Sequence, residues 1–384
     1  MASLSVDIGQ RRLSLADKLR GIQWGLVILI AAISGIGFAM LYSAANGSLQ
    51  PWASRQMTRF AMAFVPMLIV ALVDIRHWFR SAYWIYAVAL VLVIAVDLRG
   101  FVGMGAQRWI DLGVIQLQPS EIMTIGLVLA LARYFHCVPN ENVGRISRLI
   151  PPVMMIMIPV ALVLKQPDLG TAMLLLASGA ILCFLGGVKL RMFALAAATA
   201  GIAAPIAWRF LRDYQKTRLY TFLDPEQDPL GAGYHITQSK IALGSGGVFG
   251  KGFLLGTQTH LSFLPEKQTD FIFTMIAEEF GLVGGLILLG LYVVVIGYAF
   301  SIALRSRSLF GRLLGLGIAA SFFLYAFINI AMVMGLIPVV GVPLPLISYG
   351  GTAMITMMLG FGLLMNVGVH RDVRISRRGE SELG

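Results

Sequence analysis

The sequence predicts an all-α integral membrane protein, a polytopic bundle of about ten transmembrane helices with one long extracytoplasmic loop. Three observations predict it. Of the 384 residues, 58% are hydrophobic and only 13% charged, and the mean hydropathy is +0.80, which is more apolar surface than a water-soluble core can hide. Apolar runs of about 20 residues, the length that crosses the hydrocarbon, recur along the chain. The Lys and Arg residues behind the formal net charge of +11 lie in short strips between those runs, not on one soluble face. That placement reports membrane topology and argues against a nucleic-acid partner.

The runs fall near 22–43, 58–75, 82–97, 119–138, 150–165, 169–187, 191–210, 271–303, 312–336 and 349–369. The first follows Arg11, Arg12, Lys18 and Arg20, as a signal-peptide core would, but it is too long for one and reads as an uncleaved span. The third and fifth are short, and the charge bias supports them. With residues 1–21 and 370–384 both cytoplasmic, the inner segments carry those four basic residues and Arg76, Arg80, Arg133, Arg145, Arg148, Lys189, Arg191, Arg305, Arg307, Arg312, Arg371, Arg374, Arg377 and Arg378. The short outer loops carry Arg55, Arg59, Arg99, Arg108 and Lys165. Residues 1–384 therefore read as a single membrane domain. Cys137 and Cys183 have neither metal-site nor disulfide-framework spacing and are expected to be free thiols. The five histidines are likewise scattered, so no structural metal is expected.

The segment 211–270 is the one sizeable portion outside the spans, too long for an idle connector. It holds the turn-rich stretch Asp224 to Pro229 and the flexible stretch Gly244 to Gly247, with His235 to Leu243 between them as a short interfacial helix. A second irregular segment, Ile337 to Ile347, carries Pro338, Gly341, Pro343 and Pro345 yet no charge. It cannot be regular helix. Non-helical backbone at membrane depth must be buried in protein or line a cavity, and a cavity at the outer face is the expectation.

In this topology the fourth, sixth, eighth and tenth spans begin on the outer side, with starts at Pro119-Ser120-Glu121, Pro167-Asp168-Leu169-Gly170, Thr269-Asp270-Phe271 and Ser348-Tyr349-Gly350-Gly351. Helix starts are electropositive and have unpaired N–H groups, so converging starts can receive an anionic headgroup such as a diphosphate. For Glu121 and Asp168, capping and function are both open readings. For Asp270 function is favoured, because no Glu or Gln stands three residues on from it or from Thr269 to make a capping box. Glu278 and Glu279 follow about two turns later and, being adjacent, present different faces, so at most one looks into a shared cavity. They are read as supporting groups. Arg108 and Lys240 are candidate phosphate contacts, whereas Lys251 and Lys267 read as headgroup or solvated loop charges.

The stretches RWIDLGVIQLQPSE (108–121), QPDLGTA (166–172), FLDPEQDPLGAGYHITQSKIALGSGG (222–247), FLPEKQTDFIFTMIAEEFG (263–281) and NIAMVMGLIPVVGVPLPLISYGGT (329–352) resemble the shape, elongation, division and sporulation family over nearly the whole chain. They are closer to its elongation branch than to its division branch. The resemblance implies a peptidoglycan glycosyltransferase that polymerises lipid II at the outer face of the bacterial inner membrane. It matches the family's essential aspartate to Asp270 and its conserved glutamate to Glu121. It also implies a class B penicillin-binding protein and other elongation-complex proteins as partners. Many members carry Lys where this chain has Thr124, so that group's role must be supplied otherwise.

The implied reaction needs one base and one anion sink. Asp270 would take the proton from the 4-hydroxyl of the acceptor GlcNAc, with inversion at the donor's anomeric carbon. Arg108, Lys240 and the helix starts, with Thr269 and Ser348, would receive the diphosphate, with or without a divalent cation (Mg or Mn) on Glu121 or Asp168. Two other readings are a lipid II flippase, disfavoured because the carboxylates gather at one face, and a non-catalytic scaffold for a penicillin-binding protein, for which the small-residue face from Gly311 to Gly315 would suit helix packing.

Overall fold

A computed structural model describes residues 14–99, 101–103, 106–111, 116–139, 143–210, 213–224, 232–260 and 266–376. Arg11, Arg12, Arg377, Arg378 and the turn-rich residues after Asp224 lie outside the described residues. After the short α1 (Leu15–Gly21), the long helices are α2 (Trp24–Ala44), α3 (Trp52–Leu72), α4 (Ile75–Arg99), α5 (Pro119–Cys137), α6 (Ile146–Lys165), α7 (Leu169–Leu185), α8 (Leu190–Phe210), α12 (Ile272–Arg305), α13 (Leu309–Val333) and α14 (Gly351–Val369). These ten coincide with the ten apolar runs. Seven of them are long and apolar enough to cross a membrane on length and hydropathy alone, and α7 and α8 each contain a shorter apolar stretch.

Between the spans, the structure adds elements that the apolar pattern could not show. An antiparallel three-stranded sheet, β1 (Phe101–Gly103), β2 (Ala106–Asp111) and β3 (Gln116–Leu117), joins α4 to α5 in the order β1-β2-β3. The long segment before α12 contains α9 (Asp213–Leu223), α10 (Ala232–Ser245) and α11 (Thr257–His260). α10 includes the short helix expected from His235 to Leu243.

The core is built on α13, whose apolar window is 78% buried, more than that of any other span of this kind. α13 packs against α5, α7, α12 and α14, while α3 packs on α14, α4 on α5 and α6 on α7. Small residues permit the close approaches: a Cβ at Gly315 would lie 2.8 Å from the Cβ of Ala303, and one at Gly317 2.7 Å from Val128. The face from Gly311 to Gly315 is thus used inside the bundle. α8 is exposed along most of its length. Cys137 and Cys183 are free thiols.

The irregular segment 337–347 is received by protein, not by the open cavity expected for it. Val340, Val342, Leu344, Leu346 and Ile347 are buried. Its carbonyls find donors on neighbouring helices: Tyr292 Oη donates to Pro345 O (2.8 Å) and Asn329 Nδ2 to Val342 O (2.7 Å). Such pairing is what makes non-helical backbone stable at this depth.

Candidate functional site

Sequence assigns helix starts to one side of a membrane but says nothing of their lateral arrangement. The structure brings the starts of α5, α7, α12 and α14 together. Gln118, which precedes α5, donates through Nε2 to Asp168 Oδ2 (3.0 Å) at the start of α7 and through its main-chain N to Thr352 Oγ1 (3.1 Å) in α14. Thr352 Oγ1 in turn donates to Gln116 O (2.7 Å) in β3. Ser348 Oγ donates to Thr269 O (2.7 Å) and accepts from Leu344 N (2.8 Å), and Tyr349 N donates to Gln268 O (2.9 Å). Gln56 of α3 donates to Ser348 O (3.0 Å). One hydrogen-bonded collar therefore holds all four starts.

Asp270 sits in that collar, partly buried. It does not cap α12, whose N-cap is Phe271 without a side-chain cap bond. Its carboxylate lies over Gly341, where a Cβ would come 3.5 Å from Oδ2 and the φ of +73° favours glycine. Its main chain is clipped by Asn329, fully buried in α13, whose Nδ2 donates to Asp270 O (2.9 Å) as well as to Val342 O. Burial above all, then the Glu266 carboxylate, pushes the Asp270 carboxyl up to about 6, and Asp168 adds to the push; Arg108 and Arg218 oppose it. The outcome is a carboxylate that is ionised at neutral pH yet basic enough to accept a proton there, the property a general base needs.

The other expected residues take varied places. Asp168 is a cap: Oδ1 accepts from Thr171 N (3.2 Å), and Oδ2 accepts from Thr171 Oγ1 and Gln118. Glu121 is buried in the first turn of α5, and its Oε2 has no hydrogen-bond partner. Arg108 donates to Gln166 O (3.3 Å) and Pro167 O, tying β2 to the start of α7 beside Asp270. Thr269 Oγ1 donates to Glu266 Oε2 (2.9 Å), and Ser348 is committed to the collar. Lys240 is exposed on α10, over Gly335 at the end of α13, and is not among the charges acting on Asp270. Thr124 stays close to its own helix, donating to Ser120 O (3.3 Å), and lines a cavity of about 40 Å³ with Ser321, Tyr325 and Thr356.

Glu278 and Glu279 lie apart from the collar, and both are fully buried just before the break in α12 at Gly281, where the loop after α10 pairs with their carbonyls. Glu278 Oε1 accepts from Lys251 Nζ (2.7 Å) and Gln258 N (2.9 Å), while Glu279 accepts from Ser43 Oγ of α2. The headgroup reading of Lys251 and Lys267 is therefore corrected. Lys251 is the counter-ion of a buried carboxylate, and Lys267 is itself buried, which pulls its pKa down. Replacing Lys251 by Met is expected to lower stability by about 3 kcal/mol, because a buried charge loses its partner. Thermal unfolding in detergent measures it, and an unchanged midpoint would contradict the pairing.

Sequence reasoning missed Asn329, Arg218 and Arg59, whose guanidinium stacks 4.6 Å over the Tyr349 ring. Asn329 alone carried a signal, as a polar side chain within an apolar span. Among the described residues no three His, Cys, Asp or Glu side chains group as a metal site, and both Asp168 oxygens are already engaged. Among the described residues, Glu121 and Asp168 therefore do not group with a third such side chain into a divalent-cation site.

The sequence profile of the FtsW, RodA and SpoVE cell cycle proteins matches residues 22–373. The chain is 45% identical over 353 residues to the peptidoglycan glycosyltransferase MrdB of Escherichia coli K12, covering 91% of this chain and 93% of that protein. It is similar in structure to a chain of a peptidoglycan synthase complex that coordinates polymerization and crosslinking (TM-score 0.80, 32% identity, 91% of this chain and 98% of that one). It is also similar to the rod shape determining protein RodA of Thermus thermophilus (TM-score 0.69, 29% identity, 91% and 97%).

Proposed function

The chain belongs to the FtsW, RodA and SpoVE family of cell cycle proteins and is a peptidoglycan glycosyltransferase of the inner membrane, and from that premise we propose that Asp270 is the base with which it polymerises lipid II. The observation that supports this most directly is the Asp270 carboxylate itself, partly buried on Gly341 at the meeting of four helix starts, where the charges of Arg108 and Arg218 act on it. In the step proposed, Asp270 takes the proton from the 4-hydroxyl of the acceptor GlcNAc. The freed oxygen attacks the donor's anomeric carbon from the face opposite its diphosphate. The new C–O bond forms as the bond to the diphosphate breaks, and the configuration inverts.

The leaving diphosphate gains negative charge, and the guanidinium groups of Arg108, held by the carbonyls of Gln166 and Pro167, and of Arg218 would stabilise it where it forms. The partner implied by the family, and supported by the likeness to a chain of a synthase complex that coordinates polymerization and crosslinking, is a transpeptidase of the class B penicillin-binding type, which would crosslink what this chain polymerises. The site would then open on the extracytoplasmic side, with both termini in the cytoplasm. Incubating the purified protein with lipid II, alone and with its transpeptidase, tests the reading. Glycan strands are the expected product, and none should form from a lipid II analogue lacking the GlcNAc 4-hydroxyl. Polymer from that analogue would sink the assignment.

Asn329 positions the base in this scheme. Asn329→Leu removes two hydrogen bonds from buried carbonyls and is expected to cost roughly 1 to 3 kcal/mol. The turnover rate should fall tenfold or more while KM for lipid II changes little, because the clip acts on Asp270 and not on substrate. Steady-state kinetics separates the two. An unchanged kcat would mean that the clip has no catalytic consequence.

A further inference from the structure

The segment that joins α10 to α11 is built inside out for a loop in water. Three of its apolar side chains lie open, Phe249 82% exposed, Leu255 63% and Val248 55%, while Phe253 packs on Tyr42 and Phe280. Its one charge, Lys251, turns inward onto the buried Glu278. A soluble loop does the reverse.

The backbone has the matching property. α12 is 34 residues long and turns out of helical geometry at Gly281 (φ 65°, ψ −160°). At 1.5 Å per residue the part after the break, 282–305, is roughly 36 Å long and crosses a core of about 30 Å unaided, so the break lies near one edge of the hydrocarbon. The groups released there are paired with the loop. Lys251 N donates to Glu278 O (3.0 Å), Gly252 N to Glu279 O (2.9 Å), Leu282 N to Gly247 O (3.0 Å) and Val283 N to Val248 O (3.1 Å). Within the loop, Gly250 N donates to Gly246 O (2.8 Å) and Leu255 N to Gly252 O (3.1 Å). A loop in water has no need of such pairing with a broken helix, whereas irregular backbone within a membrane depends on it.

The outward side chains also adjoin an exposed apolar surface of α12, with Phe280 just before the break and Leu282, Leu286, Ile287 and Val293 after it. We propose that residues 246–256 form a re-entrant wedge seated in the edge of one leaflet, with Phe249, Val248 and Leu255 among the lipid acyl chains. The long segment between α8 and α12 is then anchored at its middle by the bilayer and not carried wholly in water. The inference does not depend on the reaction assigned to Asp270.

The test uses the full-length protein with Cys137 and Cys183 replaced by Ser and a single cysteine introduced as Phe249→Cys, labelled with an environment-sensitive fluorophore. Leu255→Cys serves if Phe249→Cys unfolds. Labels at Leu286→Cys and Gln50→Cys are the lipid-facing and water-facing references. In vesicles of phosphatidylethanolamine and phosphatidylglycerol doped with brominated phosphatidylcholine, the label at 249 should be quenched at least half as strongly as that at 286 and escape aqueous iodide. Quenching by iodide to the level at position 50 overturns the proposal. Protection from both quenchers on reconstitution with the transpeptidase overturns it too, by making the patch a protein seat.

Discussion

Asp270→Asn is expected to abolish polymerisation of lipid II, lowering the rate by about 10² to 10⁴-fold, the range attributed to a positioned general base. The substitution keeps the side chain's shape, and the Asp270 carbonyl still accepts from Asn329, so insertion and thermal stability should stay close to wild type. The pH dependence follows from the same environment. Burial and Glu266 raise the carboxyl to about 6, and only its ionised form can accept the proton. Activity therefore climbs as pH rises through about 6 and levels off above it, and it is lost below. Removing the charge of Arg218, which holds the pKa down, moves that limb to higher pH. A pH–rate profile of the wild type and Arg218→Gln reads both effects. Normal glycan from a well-folded Asp270→Asn protein would end the proposal.

Gly250→Val carries the largest expected cost to the fold. Gly250 has φ +80°, and a Cβ there would lie 2.1 Å from Glu279 O, a backbone atom that cannot swing aside. Strain and collision together should destabilise by on the order of 3 kcal/mol or more. The pairing of the loop with the α12 break would be lost, and with it the burial of Glu278 and Glu279. Gly247→Ala is the comparison, because Gly247 has φ +55° but open space around its Cβ position. Backbone strain alone predicts about 1 to 2 kcal/mol there. Thermal unfolding of the two variants in detergent orders them, and equal midpoints would remove the steric argument.

Several features of the site were legible because they depend on residue type and sidedness. Asp270 stood out as a carboxylate at a helix start without a capping role, and it caps nothing in the fold. Asp168 left two readings open, and the fold makes it a cap with a second bond to Gln118. Lys251 shows the limit of such reasoning. In sequence it is a lone cation in a glycine-rich stretch, and nothing local says that a carboxylate 27 positions later is its partner. The clip by Asn329 and the gap at Gly341 are likewise contacts between distant segments, as are the guanidinium groups from β2 and α9 that act on Asp270.

What the residues decide on their own is where the apolar helices fall along the chain, and among the described residues seven of them meet for themselves the local demand of crossing about 30 Å of hydrocarbon. Which starts meet, which carboxylates are buried as a pair at a broken helix, and which side chain holds the base are settled only when the helices pack. These depend on close approaches at glycines and on hydrogen bonds between segments up to 296 positions apart, and a one-dimensional pattern of hydropathy and charge contains neither.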